Sequence, residues 1–161
     1  MRHLTIAIAV GALLLLLCSN CSLFNKMRAA QIIDDAATPI QYTTLENYFV
    51  RNDVDCSKQL RLIIDNKTEF EKYFGMAAHM GGMPTEINWN KLFVVALVLP
   101  ETKRATSINP VAVKITDNNF LVFSYQVKKG DRISPTMVPF TVVAIDKPAS
   151  TQKMHIFYLE K

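Results

Sequence analysis

Four residues in one short stretch carry side chains that soft metal ions prefer as ligands. They are Met76, His79, Met80 and Met83, and their thioether sulfurs and imidazole nitrogens suit Cu(I). Methionine is also typical of the irregular gaps between a helix end and a sheet, because its flexible side chain fills them. We favour this packing role. The sequence therefore predicts no metal site and no cofactor, with these four residues as a weak candidate cluster for copper.

The other residues that could do chemistry do not form a catalytic set in the sequence. Apart from His3, the histidines are His79 and His155, and no serine lies in a Gly-x-Ser-x-Gly turn. Cys56 lies between two polar residues, where we expect a small buried side chain rather than a nucleophile. The sequence predicts a protein that is not an enzyme and has no catalytic residues.

Three cations lie in segments that the sequence predicts to be exposed loops. Lys103 and Arg104 fall within residues 100–110, Arg132 falls within residues 128–139, and prolines bracket the cations in both segments. Proline restricts the free chain, so that such a loop loses less conformational entropy when it binds a partner. A loop of this kind would add its backbone to a protease as a strand, while a cation fills an acidic specificity pocket. Charge that serves solubility alone is the alternative explanation.

The N-terminus carries a different kind of chemistry. Arg2 precedes an uninterrupted apolar run over residues 4–17, which is short for a membrane span and typical of a signal-peptide core. Cys18 and Cys21 follow the run, and an apolar core that ends in cysteine resembles a bacterial lipoprotein signal, whose cysteine becomes the acylated first residue. We favour Cys21 as the lipidation site, because two small polar residues precede it, whereas a bulky leucine precedes Cys18.

The lipoprotein signal divides the chain into three parts. Residues 1–20 are the predicted signal peptide, residues 21–40 a lipidated tether, and residues 41–161 a single β-rich domain. Acyl chains on Cys21 would hold the protein on a lipid membrane. Ser22 stands where an aspartate is linked to inner-membrane retention, so we expect the cell envelope as the location, with the outer membrane favoured.

The charge of the chain excludes one class of partner. Lysine and arginine number 18 against 14 aspartates and glutamates, which gives a net charge of +4. The small surplus is spread along the sequence, with no basic run and no alternation of basic and aromatic residues. The sequence therefore predicts no binding of nucleic acid.

The apolar pattern predicts the fold class. Residues 92–99 are continuously apolar and rich in β-branched side chains, as in a central strand buried on both faces. Thr68 and Glu71 have the spacing of a capping box, and the apolar period after them predicts a helix over about residues 68–80. The other apolar segments alternate with period two. We expect a mainly β fold, a compact antiparallel barrel or sandwich of about seven strands with this one short covering helix.

The order of these motifs resembles a known family of envelope proteins. The chain from residue 60 to residue 161 is similar to the PrcB-like domain of bacterial envelope lipoproteins, which is associated with stabilising an envelope protease, and to the potempins, lipoproteins that inhibit secreted proteases. The resemblance rests on four motifs in this order: Glu69-Phe70-x-x-Tyr73-Phe74, Pro84-Thr85-x-Ile87-Asn88-Trp89, Phe93-Val94-Val95-Ala96-Leu97 and the segment 139–147.

The resemblance implies a function. We expect a membrane-anchored, non-enzymatic lipoprotein that binds a protease as an inhibitor or stabilising subunit. The contact residues do not follow from the resemblance; the proline-bracketed cations themselves make Lys103, Arg104 and Arg132 the expected contacts. The alternatives are a copper- or ligand-binding envelope lipoprotein and a purely structural envelope component.

The lipidation site gives the first testable prediction. We expect the mature protein to begin at an acylated Cys21, because this cysteine ends the signal-like segment. Intact-mass analysis of protein purified from membranes should show the loss of residues 1–20 and the added mass of acyl chains. A mature terminus at Cys18, or an unmodified chain, would contradict the assignment.

Overall fold

The structure is a computed structural model that describes residues 37–77, 82–116, 120–147 and 155–161. The predicted signal peptide, Cys18 and Cys21 lie outside the described residues. Residues 38–161 form one compact unit, which contains every described strand and helix.

Ten strands and one helix make up the described part of the chain. In chain order they are β1 (Thr38–Ile40), β2 (Tyr42–Thr44), β3 (Tyr48–Val50), β4 (Leu60–Ile64), α1 (Lys67–Tyr73), β5 (Phe74–Met76), β6 (Leu92–Val98), β7 (Thr102–Ile115), β8 (Phe120–Met137), β9 (Phe140–Asp146) and β10 (His155–Glu160). The mainly β class is confirmed, and β1 takes up the last three residues of the segment predicted as a tether.

The strands form two four-stranded sheets and one two-stranded sheet. Sheet A has the order β1-β7-β8-β10, sheet B has the order β2-β9-β6-β4, and β3 pairs with β5. All pairs are antiparallel except β8 and β10, which are parallel. Of the two predicted architectures, the described strands form a sandwich and no closed barrel. The strand number exceeds seven because β1, β2 and β5, three residues each, form only through pairing with partners distant in sequence.

Sheet B is buried on both faces. In β6, Phe93, Val95 and Leu97 pack into the core between the two sheets. The alternating residues Val94 and Ala96, with Val98 after them, pack into a second core on the other face of the sheet. Each fully buried valine, leucine or phenylalanine side chain contributes about 1.5–3 kcal/mol to the stability of the fold. The prediction of a central strand over residues 92–99 is thereby confirmed.

The helix covers the outer face of sheet B but is shorter than predicted. It begins after Asn66, whose side-chain oxygen accepts a hydrogen bond from the Glu69 N–H at 2.8 Å, so Asn66 is the N-cap rather than Thr68. It ends at Tyr73, because residues 74–76 pair with β3 as a strand. The prediction of a helix to residue 80 is therefore wrong, because the apolar spacing within one segment contains no information about pairing with a distant strand.

Aromatic contacts attach the helix to the second core. The Phe70 ring lies 5.1 Å from Tyr48, 4.9 Å from Phe74 and 5.5 Å from Trp89, measured between ring centroids. Such pairs add about 0.5–1.5 kcal/mol each beyond the apolar area that they bury. Phe70 thus joins the helix, the β3–β5 pair and the segment before β6.

Tyr158 on β10 links sheet A to sheet B. Its hydroxyl lies 3.1 Å from the Leu62 carbonyl oxygen and 3.2 Å from that of Ala96, and both carbonyls belong to sheet B. The Arg61 guanidinium lies over the ring, 5.3 Å from its centroid. Burial raises the pKa of Tyr158 far above its ordinary value, and this effect exceeds the lowering by the Arg61 charge and by the hydrogen bond to Leu62.

The substitution Tyr158→Phe tests this link. At neutral pH it should lower the free energy of unfolding by about 1 kcal/mol, because a buried hydrogen bond is lost. In the parent, the unfolded chain ionises Tyr158 near its ordinary pKa of 10.0 while the folded chain does not. The stability that Tyr158 contributes is therefore present below pH 10 and is lost as the pH rises further.

The measurement is urea denaturation at pH 7 and above pH 10. The stabilities of parent and variant should converge at the higher pH. Tyr42→Phe is the control, because the Tyr42 hydroxyl has no hydrogen-bond partner in the described part of the chain. Equal alkaline losses of stability in the parent and in Tyr158→Phe would contradict this role.

Candidate functional site

β7 and β8 extend beyond the rest of sheet A as a two-stranded ribbon. β1 pairs with β7 only at residues 113–115, and β10 pairs with β8 only at residues 120–125. We call residues 102–109 of β7 and 126–137 of β8 the basic ribbon. Its inner end is fixed by Ile108 and its cross-strand partner Val127, which both pack into the core between the sheets.

The segments predicted as loops are strands of this ribbon. Arg104 pairs with Arg132, and Ser107 pairs with Lys128, so residues 100–110 and 128–139 are largely paired with each other. Pro110 does not end a loop but lies within β7, next to a register shift. The loop prediction is wrong because it relied on charge and proline, whereas cross-strand pairing and the burial of Ile108 decide the conformation.

The register of the ribbon is irregular around Arg104. Register shifts occur on both sides of this residue, and residues 133–136 of β8 have no partner on β7. Extra residues of this kind bend a strand and increase its twist. As a result, Lys103 and Arg104 line one cleft together with Thr102 and Arg132, although they are consecutive in the strand.

Five cations lie on the basic ribbon. They are Lys103, Arg104, Lys128, Lys129 and Arg132, all exposed to solvent. The only acid of the ribbon is Asp131, and within the described residues none of the five cations forms an ion pair. Like charges directly opposite each other destabilise a strand pair, and Arg104 lies opposite Arg132. The uncompensated charge makes this surface attractive to an anionic partner.

Arg104 is held in place by its own ribbon. Its guanidinium donates a hydrogen bond to the Gly130 carbonyl oxygen at 3.3 Å. The strands approach closely there, since a Cβ on Gly130 would lie 3.1 Å from the Ala105 carbonyl oxygen. The structure thus brings Lys103, Arg104 and Arg132 together, as a set of side chains on paired strands.

Lys128 and Lys129 belong to this surface although their positions were not predicted as contact residues from the sequence. The available signal was the alternation of β-branched residues at Thr102, Thr106 and Ile108, which is typical of a strand. Had residues 100–110 been predicted as a strand, the segment carrying Lys128 and Lys129 would have been its natural antiparallel partner.

A groove lies on the opposite side of sheet B from the ribbon strands. It has a volume of about 660 Å³, and its lining includes Tyr48, Phe70 and Trp89 together with Met76 and Met83. The two methionines are 68% and 83% exposed. The predicted packing role is therefore wrong for these two residues, because the helix ends before Met76 and both side chains are largely exposed to solvent.

His79 and Met80 lie outside the described residues, so the copper cluster stays a candidate on Met76 and Met83 alone. Over the described ranges, no three histidine, cysteine, aspartate or glutamate side chains come together as a metal site.

Asn47 and Tyr48 form hydrogen bonds with three residues beside the groove, Ala77, Met83 and Thr85. Asn47 has a left-handed backbone with φ of 61°; its carbonyl accepts from the Ala77 N–H at 2.8 Å, and its side-chain amide donates to the Met83 carbonyl at 3.2 Å. The Tyr48 hydroxyl donates to the Thr85 carbonyl at 2.7 Å. These bonds fix the rim of the groove on which Met83 lies.

Cys56 is a core residue rather than a nucleophile. Its side chain is 4% exposed and packs in the second core. Burial raises the pKa of the Cys56 thiol, and the negative charges of Glu101 and Asp55 raise it further. The thiol therefore stays protonated at neutral pH, and the thiolate is the form that reacts.

Within the described ranges, no helix has the length and apolarity that crossing a membrane requires. Comparisons of the chain with protein-family models, with curated proteins and with solved structures find no match. The resemblance to PrcB-like domains and potempins stays a prediction from the sequence.

Proposed function

We propose that this protein is a membrane-anchored, non-enzymatic lipoprotein of the bacterial envelope that binds a protease through its basic ribbon, as an inhibitor or stabilising subunit. The observation that carries the proposal is the set of five exposed cations on the ribbon, none of them in an ion pair within the described residues. The sequence resemblance supplies the class of partner, and the apolar segment before Cys21 supplies the membrane anchor.

A ribbon supports binding better than two free loops would. Its strands hold each other, and Ile108 fixes its inner end in the core. The backbone of such a frame loses little conformational freedom when a partner docks, so more of the interaction energy appears as affinity. Exposed like charges also speed the encounter with a partner of opposite charge.

The contact differs from the mode expected from the sequence. The Arg104 N–H already donates to the Thr102 hydroxyl at 3.2 Å, and the Thr106 N–H to the Met137 sulfur at 3.4 Å. Pro110 has no N–H to donate. These positions of β7 therefore offer no free N–H to an added strand of the protease, so β7 is poorly suited to such pairing. We therefore propose recognition by the cationic side chains and by the unpaired bulge at residues 133–136.

A titration against proteases tests this function. The full chain, in neutral detergent, is titrated against a panel of serine, cysteine and metalloproteases, with binding and peptide hydrolysis measured together. We expect one protease to bind, and Lys103→Ala/Arg104→Ala or Arg132→Ala to weaken binding by about 30-fold, the loss of about 2 kcal/mol typical of a central interface residue.

Lys58→Ala/Lys72→Ala is the matched control for lost charge, because both lysines are exposed and lie outside the ribbon. Its affinity should equal that of the parent. If no protease on the panel binds, the protease function is wrong. If binding persists in both ribbon variants, the function stands and the assigned contact residues are wrong.

The groove supports a second candidate function, the binding of an apolar ligand. Aromatic side chains line it, and Met76 and Met83 lie exposed beside it, as on surfaces that adapt to apolar partners. Trp89, the only tryptophan of the chain, reports on the groove. A water-soluble aromatic alcohol such as phenylethanol should shift its emission in the parent and not in Met83→Glu. An equal response in both proteins would exclude the groove as the binding site.

A further inference from the structure

The end of the basic ribbon that joins sheet B contains a cleft with an unusual concentration of positive charge. Its volume is about 270 Å³, and Thr102, Lys103, Arg104 and Arg132 line it. Three of these four residues are cations. The neighbouring acids, Glu101 and Asp131, form no ion pair with them within the described residues.

The fold places the three cations around this cleft. The cross-strand register fixes Arg104 opposite Arg132, and the hydrogen bond from Arg104 to the Gly130 carbonyl orients one guanidinium. The twist at the two register shifts brings Lys103 to the same cleft. Two like charges directly opposite each other lower the stability of the strand pair, and an anion between them would remove that repulsion.

The donors in the cleft select a class of anion. Arginine presents a planar fork of N–H donors that matches phosphate oxygens in pairs, whereas lysine supplies a point charge. A single carboxylate balances one of the three charges. A phosphoryl group carries up to two charges on three terminal oxygens, enough acceptors for both guanidiniums and the ammonium group.

We propose that this cleft is a phosphoryl-binding site, formed by Arg104 and Arg132 with Lys103 as the third cation. The site goes beyond the proposed function, because it requires no protease. The phosphoryl group belongs either to a free phosphate compound or to a lipid headgroup of the membrane to which the chain is anchored, and both have the same chemistry.

Inorganic pyrophosphate is the probe, and citrate is the comparison, because its carboxylates give a similar charge without phosphoryl oxygens. The full chain is placed in nanodiscs of phosphatidylcholine and titrated by calorimetry. Pyrophosphate should bind, and citrate should bind at least about tenfold more weakly. Equal binding of the two would overturn the proposal, because the cleft would then attract anions by charge alone.

Two double variants with the same loss of charge locate the site. Arg104→Gln/Arg132→Gln should weaken pyrophosphate binding by at least about tenfold, whereas Lys128→Gln/Lys129→Gln, on the same ribbon but outside the cleft lining, should change it far less. Equal losses would mean general attraction to the ribbon and would overturn the site. Unchanged melting curves establish that both variants fold.

A second nanodisc separates the two sources of the phosphoryl group. With phosphatidic acid added to the phosphatidylcholine, a lipid headgroup in the cleft should remove the pyrophosphate signal of the parent. An unchanged signal would assign the cleft to a free phosphate compound. Absence of pyrophosphate binding in the nanodisc of phosphatidylcholine alone would overturn the proposal, whatever the result of the protease titration.

Discussion

The burial of sheet B on both faces is the constraint on which the rest of this structure depends. Strands β6 and β9 contribute alternate residues to two separate cores, so neither strand has a face that tolerates a charge. One face needs sheet A as a cover, and the other needs α1 with the β3–β5 pair. The sandwich and its third layer both follow from these two strands.

The burial of sheet B also determines where the basic ribbon lies. The chain passes from the end of β6 directly into β7, and from the end of β8 directly into β9. A hydrogen bond of 2.8 Å from the Leu99 N–H to the Pro139 carbonyl closes the base between the two passages. The ribbon is therefore attached to the most buried strands of the molecule at this end, and Ile108 and Val127 fix its other end in the core between the sheets. The core excludes charged side chains, and five of them lie on the basic ribbon, whose position the packing of the core determines.

Parts of this architecture could be predicted from sequence because their causes are local. Leu92–Val98 is apolar at every position, and only a strand buried on both faces uses such a segment fully. The end of the helix was different. Residues around Gly75 fit a helical apolar period, but the Phe49 ring lies over Gly75 from the paired strand, at 2.5 Å from where a Cβ would be. That pairing joins residues 26 positions apart, and no local pattern contains it.

The sequence indicated the cationic residues of the candidate site but not the paired strands that carry them. Lys103, Arg104 and Arg132 stood out as exposed cations, but their proline neighbours favoured loops, and the burial of Ile108 that anchors the ribbon depends on both sheets. Charge shows which residues reach solvent, whereas pairing determines which charges face each other. The opposition of Arg104 and Arg132 is thus a property of the register alone.

This opposition links the two proposals made for the ribbon. An acidic side chain of a protease and a phosphoryl group would both compensate the charge between Arg104 and Arg132, and the Arg104 guanidinium is already partly used by the Gly130 carbonyl. Both groups would bind the same two guanidiniums, so the binding of one opposes the binding of the other. Two ligands that need the same site reduce each other's apparent affinity. If both proposals hold, a phosphoryl compound at the membrane surface therefore competes with the protease. The local concentration of this compound then determines what fraction of the protein is free to bind the protease.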